Sequence, residues 1–205
     1  GVAPCPSPAV NIRPAEHGDV LHSRPAVINY GGTTGVVVFY GSNDGVFRAV
    51  NGNQANPTGS TLPAPGGELW GFIPPEFYGS LKRLHDNSPI VKMRNTDMSM
   101  VPTPTPKGYF ADGSTGVYQV INAGGGTTTA YIYLAMRRGG RLLYALDVSD
   151  PTNPKFLWKH SNTDAGFEEL GQTWSQPKVA MVKGHDTPVL IFGAGYDPAE
   201  DNDPG

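Results

Sequence analysis

The chain has 205 residues, with 27 glycines, 20 prolines, one cysteine, 38% hydrophobic residues and a formal net charge of −3. Glycine and proline together exceed a fifth of the residues, which fits many short strands joined by turns, and no long segment carries an apolar stripe of helical period. The acidic balance gives no electrostatic reason to expect nucleic acid, and no apolar run approaches the length that spans a bilayer.

Residues 1–16 form a proline-rich lead containing Cys5, within Pro4-Cys5-Pro6-Ser7-Pro8. A lone thiol of this kind pairs with a cysteine elsewhere or stays free, and nothing near it supplies the base or positive charge of a nucleophile. The lead has no signal-peptide pattern, which in a processed or excised piece does not argue for the cytoplasm.

From about Leu21 to Phe72 the pattern turns to short strands. Ser23-Arg24-Pro25-Ala26-Val27 precedes the apolar run Val36 to Gly41; the polar turn Ser42-Asn43-Asp44-Gly45 leads into Val46 to Asn51, and Glu68-Leu69-Trp70-Gly71-Phe72 closes the unit. Asparagine, aspartate and glycine tolerate the positive φ of tight hairpin turns. Residues 74–107 are too long for an ordinary connection. This insertion holds a short helix from Pro75 to about His85, the residues Met93, Met98 and Met100, and the run Pro102-Thr103-Pro104-Thr105-Pro106. Long insertions make contacts with partners or act only as lids, and the three methionines are the candidate interaction residues.

The unit recurs over 109–159. Tyr131 to Met136 matches the apolar run, Arg137-Arg138-Gly139-Gly140 the turn, Leu142 to Asp147 the third strand and Lys155-Phe156-Leu157-Trp158-Lys159 the tryptophan strand. A third copy starts at 173: Ser175-Gln176-Pro177-Lys178-Val179 precedes Val189 to Gly193, and proline to closing glycine is 16 residues here as in the first copy. Four short strands, repeated, make an all-β protein of β-propeller type, with about two and a half blades at 21–72, 109–159 and 173–193. A ring needs roughly four to eight blades, so the chain reads as a piece of a longer protein whose missing blades, a partner or further copies cover the open edges.

The tail 197–205 is acidic, and Asp197, Asp201 and Asp203 are candidate calcium ligands, since calcium takes six to eight oxygens. Pro204 and the missing distal glutamate weaken that spacing, and a solvated loop is the simpler reading. The five histidines (His17, His22, His85, His160, His185) lack metal-ligand spacing and read as structural or surface residues. Arg137-Arg138 and Lys82-Arg83 read as solvated pairs, and Gly124-Gly125-Gly126 as a turn without the lysine of a phosphate cradle. Trp70, Trp158 and Trp174 read as packing between blades.

The segments His17 to Pro25, Val38 to Gly52, Glu68 to Glu76 and Gly193-Ala194-Gly195-Tyr196-Asp197 together resemble the PilY/PilC propeller domain of type IV pilus proteins. The resemblance implies an exported protein of the periplasm, outer membrane or cell surface, at the pilus tip or base. It further implies a variable adhesive N-terminal part and a C-terminal propeller of the quinoprotein-dehydrogenase type that assists assembly, of which this chain is the first part. Implied partners are minor pilins or other pilus subunits, a host or abiotic surface, and the remainder of the parent propeller. The family's calcium loop falls beyond Gly205, so its site is not carried onto these residues. Two alternatives share the blade pattern: a purely structural propeller segment, and a fragment of a PQQ-type quinoprotein dehydrogenase. Those enzymes resemble one another in an adjacent-cysteine disulfide, which a single cysteine does not supply in this segment, and Asp112 and Asp147 read as turn caps rather than proton acceptors. The favoured reading is non-enzymatic.

Overall fold

The computed structural model describes residues 17–197 and Glu200. Cys5, Asp201 and Asp203 lie outside the described residues. The chain is all-β with few helices. Strands β1 (Ala26–Gly31), β2 (Gly35–Gly41), β3 (Phe47–Asn51) and β4 (Glu68–Phe72) form one antiparallel sheet in sequence order. Strands β5 (Thr115–Ile121), β6 (Thr127–Ala135), β7 (Leu142–Asp147) and β8 (Lys155–Ser161) form a second in the same order. The short strands β9 (Lys178–Ala180) and β10 (Val189–Ile191) pair antiparallel as a third. Between the first two sheets, a 3₁₀ turn (Pro75–Phe77) leads into helix α1 (Tyr78–Asp86).

The repeat seen in sequence extends to register and to individual hydrogen bonds. Ala49 faces Trp70 and Ala145 faces Trp158, and in both sheets the register slips by a bulge immediately after that alanine. The turn after the third strand is held alike in each. Asn51 Oδ1 accepts from the Asn53 N–H at 3.0 Å and Asp147 Oδ1 from the Ser149 N–H at 2.8 Å, so Asp147 is the turn cap its position suggested. Val36 N–H then donates to Asn53 Oδ1 at 2.9 Å, as Ala130 N–H does to Ser149 Oγ at 3.1 Å. The third sheet copies a different detail: the Gly41 N–H donates to Ser23 Oγ and the Gly193 N–H to Ser175 Oγ, both at 2.8 Å.

Strand alternation decides what the sheets bury. Ala26 and Ile28 of β1 point inward while Val27 is exposed, and Val37 and Phe39 of β2 join them. These side chains, with Phe47 and Ala49, form one core with Ala130, Ile132, Leu134, Tyr144 and Leu146 of the second sheet. The two sheets therefore pack face to face. Each large side chain so buried contributes about 1.5–3 kcal/mol relative to exposure.

Polar ties fix the sheets against each other. Tyr30 Oη donates to the Val148 carbonyl and Trp70 Nε1 to the Pro151 carbonyl, each at 2.7 Å. Burial, reinforced by the negative charges of Asp147 and Asp150, pushes the Tyr30 hydroxyl far above the usual phenol range, so it remains a donor. Gln176 Nε2 donates to the Thr115 carbonyl at 2.8 Å and links the third sheet to the second; Gly116 sits there because a Cβ would collide with the Pro177 carbonyl. Trp70 thus packs between sheets as its sequence predicted, leaning on Phe39 and Phe47. Trp158 leans on Tyr133 and His160. Trp174 departs from the expectation: it is exposed under two guanidinium groups, because it lies outside any strand, in the irregular segment that precedes β9.

Candidate interaction surface and the struts beneath it

The connection between the first two sheets is anchored at its beginning. Phe77 is buried edge-on against Phe110 at 5.1 Å, and Leu84 packs against the core margin, so the apolar face of the short helix is the one that docks. Glu76 accepts from Tyr144 Oη at 2.6 Å and from Lys159 Nζ at 2.9 Å, pinning the helix start to β7 and β8. Burial raises the Glu76 carboxyl, but these two donors outweigh it and hold the pKa below the usual range; burial and the Glu76 charge push Tyr144 well up. Asn87 ends the helix in the left-handed conformation, φ 47°, a role asparagine tolerates.

Beyond the helix the chain loops out as a finger and returns alongside its own start in the same direction. Val91 and Thr105 form an isolated bridge, with the Lys92 N–H donating to the Thr105 carbonyl at 2.7 Å and the Thr105 N–H to the Ile90 carbonyl at 3.1 Å. The finger is braced internally: the Met93 N–H donates to Thr96 Oγ1 at 2.6 Å and the Ser99 N–H to Asp97 Oδ1 at 2.8 Å. Its apolar side chains face outward. Met93 is 70% exposed, Met98 44%, Met100 43% and Val101 96%, so four large apolar groups within nine residues are left in solvent. Methionine's flexible, polarisable thioether suits an adaptable contact surface.

Below the finger, buried polar side chains join the first sheet's turn to the segment entering the second. Asn43 is the hub: its Nδ2 donates to Asp19 and to Asp112, both at 3.1 Å, and its Oδ1 accepts the Phe110 N–H at 3.1 Å. Asp112, 1% exposed, also accepts from His22 Nδ1 at 2.7 Å. It is therefore a strut across 90 residues of chain and not the turn cap expected from its position. Asp19 in turn accepts from Lys107 at 2.7 Å, closing the base of the insertion. Burial raises the Asp19 carboxyl, but Lys107 and Asn43 outweigh it and lower its pKa. Beside the hub, Arg48 donates to Asp44 at 2.7 Å and to Glu68 at 3.0 Å. Burial pushes the Asp44 carboxyl up, yet Arg48, Ser42 and the Gly18 and Val46 N–H groups together hold it far below the carboxylate range.

Of the acidic tail, Asp197 is described, and its carboxylate is engaged by Arg141 at 2.6 Å. Among the described residues no group of three or more His, Cys, Asp or Glu is placed to hold a metal ion. Arg137 and Arg138, expected to be solvated, instead lie over the Trp174 ring, 4.3 and 5.5 Å from its centroid. Sequence reasoning missed both this cluster and the Asn43 hub, whose members are far apart in the chain. The available signal was that the same turn carries Asn-Asp in one unit and Arg-Arg in the next. No helix among the described residues is long and apolar enough to cross a membrane.

No protein-family model matches the chain. Curated relatives do. A type IV pilus biogenesis factor PilY1 homolog of Xylella fastidiosa (strain Temecula1) is 25% identical over 216 residues, covering 94% of this chain and 15% of the relative. The type IV pilus biogenesis factor PilY1 of Pseudomonas aeruginosa (strain UCBPP-PA14) is 29% identical over 216 residues, covering 93% and 16%. The chain resembles the PilY1 type IV pilus biogenesis factors. It spans less than a fifth of the length of these PilY1 relatives. Among solved structures, the crystal structure of the P. aeruginosa PilY1 C-terminal domain aligns with a TM-score of 0.48 and 23% identity, over 78% of this chain and 25% of that one.

Proposed function

We propose that the chain is part of a non-enzymatic type IV pilus assembly protein of the exported, cell-surface kind, and that its finger is a contact surface for a pilus subunit. The similarity to PilY1 factors, running over nine-tenths of the chain, supports the role in pilus assembly. The observation that carries the contact surface is the pairing of outward-facing Met93, Met98, Met100 and Val101 with a base pinned by the Val91 and Thr105 bridge. A rigidly footed apolar finger fits a protein partner, such as a minor pilin, better than a small polar molecule.

In the same reading the sheets are blades of a quinoprotein-type propeller. The shared Ala–Trp register and bulge support this, because sheets that repeat one strand register and stack face to face are the repeating unit of a propeller. Trp70 donates to the carbonyl of the next sheet, while its counterpart Trp158 has no acceptor among the described residues. The remainder of the parent propeller is the natural cover for the Trp158 face.

Replacing Met93, Met98 and Met100 together by serine in the parent protein tests the finger. The expected outcome is unchanged stability, within about 0.5 kcal/mol for surface substitutions, with loss of piliation and of binding to the minor pilins. Normal piliation and undiminished binding would refute it and leave the segment with only the structural task of completing a propeller.

A further inference from the structure

We propose that a second site, at the end of the sheets where the Arg137 turn meets Trp174, binds a carboxylate-bearing peptide segment. A cavity of about 420 Å³ opens there, in the range of small-ligand pockets, and is lined by Arg24, His22, Ser114, Arg137, Trp174 and Gln176 among others. Its walls come from the residues that immediately precede β1, β5 and β9, the first strand of each sheet. A second cavity of about 550 Å³ is lined by Arg138, Gln172, Tyr196 and the same Trp174. The two share Trp174 as a wall and are read as one track.

The charge in this track lacks a counterpart inside the fold. Arg24, Arg137 and Arg138 make no ion pair among the described residues, in a chain whose net charge is −3. Arg137 Nε is buried without an acceptor, and such a donor is rare in native structures unless something else supplies one. The corresponding turn of the first sheet carries Asn43 and Asp44, both consumed by bonds within the protein. The second sheet places arginines there instead, with Arg137 held at φ 52° by hydrogen bonds from the Met136 and Arg137 N–H groups to the buried Thr173 hydroxyl. A backbone conformation that a long side chain rarely adopts is kept, and the guanidinium is seated on Trp174. Asp112, whose partner His22 lines the cavity, is buried and already bonded to His22 and Asn43.

A guanidinium presents paired N–H donors that match a carboxylate. A single inorganic anion leaves most of the track empty, whereas an extended acidic peptide places one carboxylate by Arg24 and Arg137 and continues past Trp174 to Arg138. This site is separate from the methionine finger and does not depend on it.

The test is calorimetric titration of the 205-residue chain with blocked tetraglutamate peptide, with tetraglutamine and inorganic phosphate as comparison probes. Tetraglutamate is expected to bind, weaken with rising salt, and lose about tenfold or more on Arg24→Ala or on Arg137→Lys, where the charge stays but the paired donors go. Arg24 is exposed, so Arg24→Ala reports on binding even if the strained Arg137 turn fails to tolerate change. Absence of tetraglutamate binding, equal binding of tetraglutamine, or undiminished affinity in Arg24→Ala overturns the proposal. Phosphate binding as tightly as the peptide overturns it in favour of a bare anion site.

Discussion

Truncating Asn43 to alanine removes three hydrogen bonds at once, those to Asp19, Asp112 and the Phe110 N–H. The Phe110 amide then has no acceptor, and an unsatisfied buried donor costs about 1–3 kcal/mol. Asp112, 1% exposed, keeps only His22, so its charge is solvated less well than before. Asp19 keeps Lys107 and is partly exposed, which makes its loss small. Together these give about 3 kcal/mol, which for a domain of this size corresponds to about 6–12 °C in melting temperature. Urea denaturation should show the midpoint falling with the slope unchanged, since the surface exposed on unfolding is the same. Asn43→Asp is the sharper variant. It puts a third carboxylate against Asp19 and Asp112, and should cost more than alanine at neutral pH and partly recover as the pH is lowered. A loss below about 1 kcal/mol for Asn43→Ala, or better tolerance of aspartate than of alanine, would refute the hub as the tie between the sheets.

Trp70→Phe keeps a ring against Phe39 and Phe47 but leaves the Pro151 carbonyl without its donor, so it should destabilise by about 1–2 kcal/mol in chemical denaturation, while Trp158→Phe costs less in this chain. If both cost the same, the Trp70 hydrogen bond carries no stability. The Asp44 carboxyl titrates lower in the folded state than in the unfolded one, so its contribution is present above the unfolded value of about 3.9 and is lost as the pH falls through the folded value. The stability difference between the native protein and Asp44→Asn should therefore be flat above about pH 5 and shrink at lower pH; a difference that grows on acidification contradicts the sign.

Much of the fold was legible because local pattern and register point the same way. The alternation of Ala26, Val27 and Ile28, the glycine-containing turns and the closing Trp70 and Trp158 each mark an element by itself, and the repeat marks them twice. The helix at Tyr78–Asp86 followed from Phe77, Leu81 and Leu84 on one face. The candidate finger was visible as an overlong connection with methionines. What escaped was anything made by side chains distant in sequence. His22 and Asp112 are 90 residues apart, and neither has a neighbour that announces the other. Arg137 and Trp174 are separated by a strand pair and a loop, and a solvated arginine pair has the same local sequence as one seated on an indole.

The division between local and distant contacts also bears on how the protein folds. Within each four-stranded sheet, hydrogen-bonded neighbours are neighbours in sequence, so each can zip up with little loop closure, whereas the ties between sheets span up to 118 residues. Docking of preformed sheets then becomes the late step, and contacts such as Tyr30 to Val148 are made after the barrier. Tyr30→Phe should accelerate unfolding in stopped-flow denaturation and leave the refolding rate almost unchanged, while an equal slowing of refolding would place docking before the barrier instead.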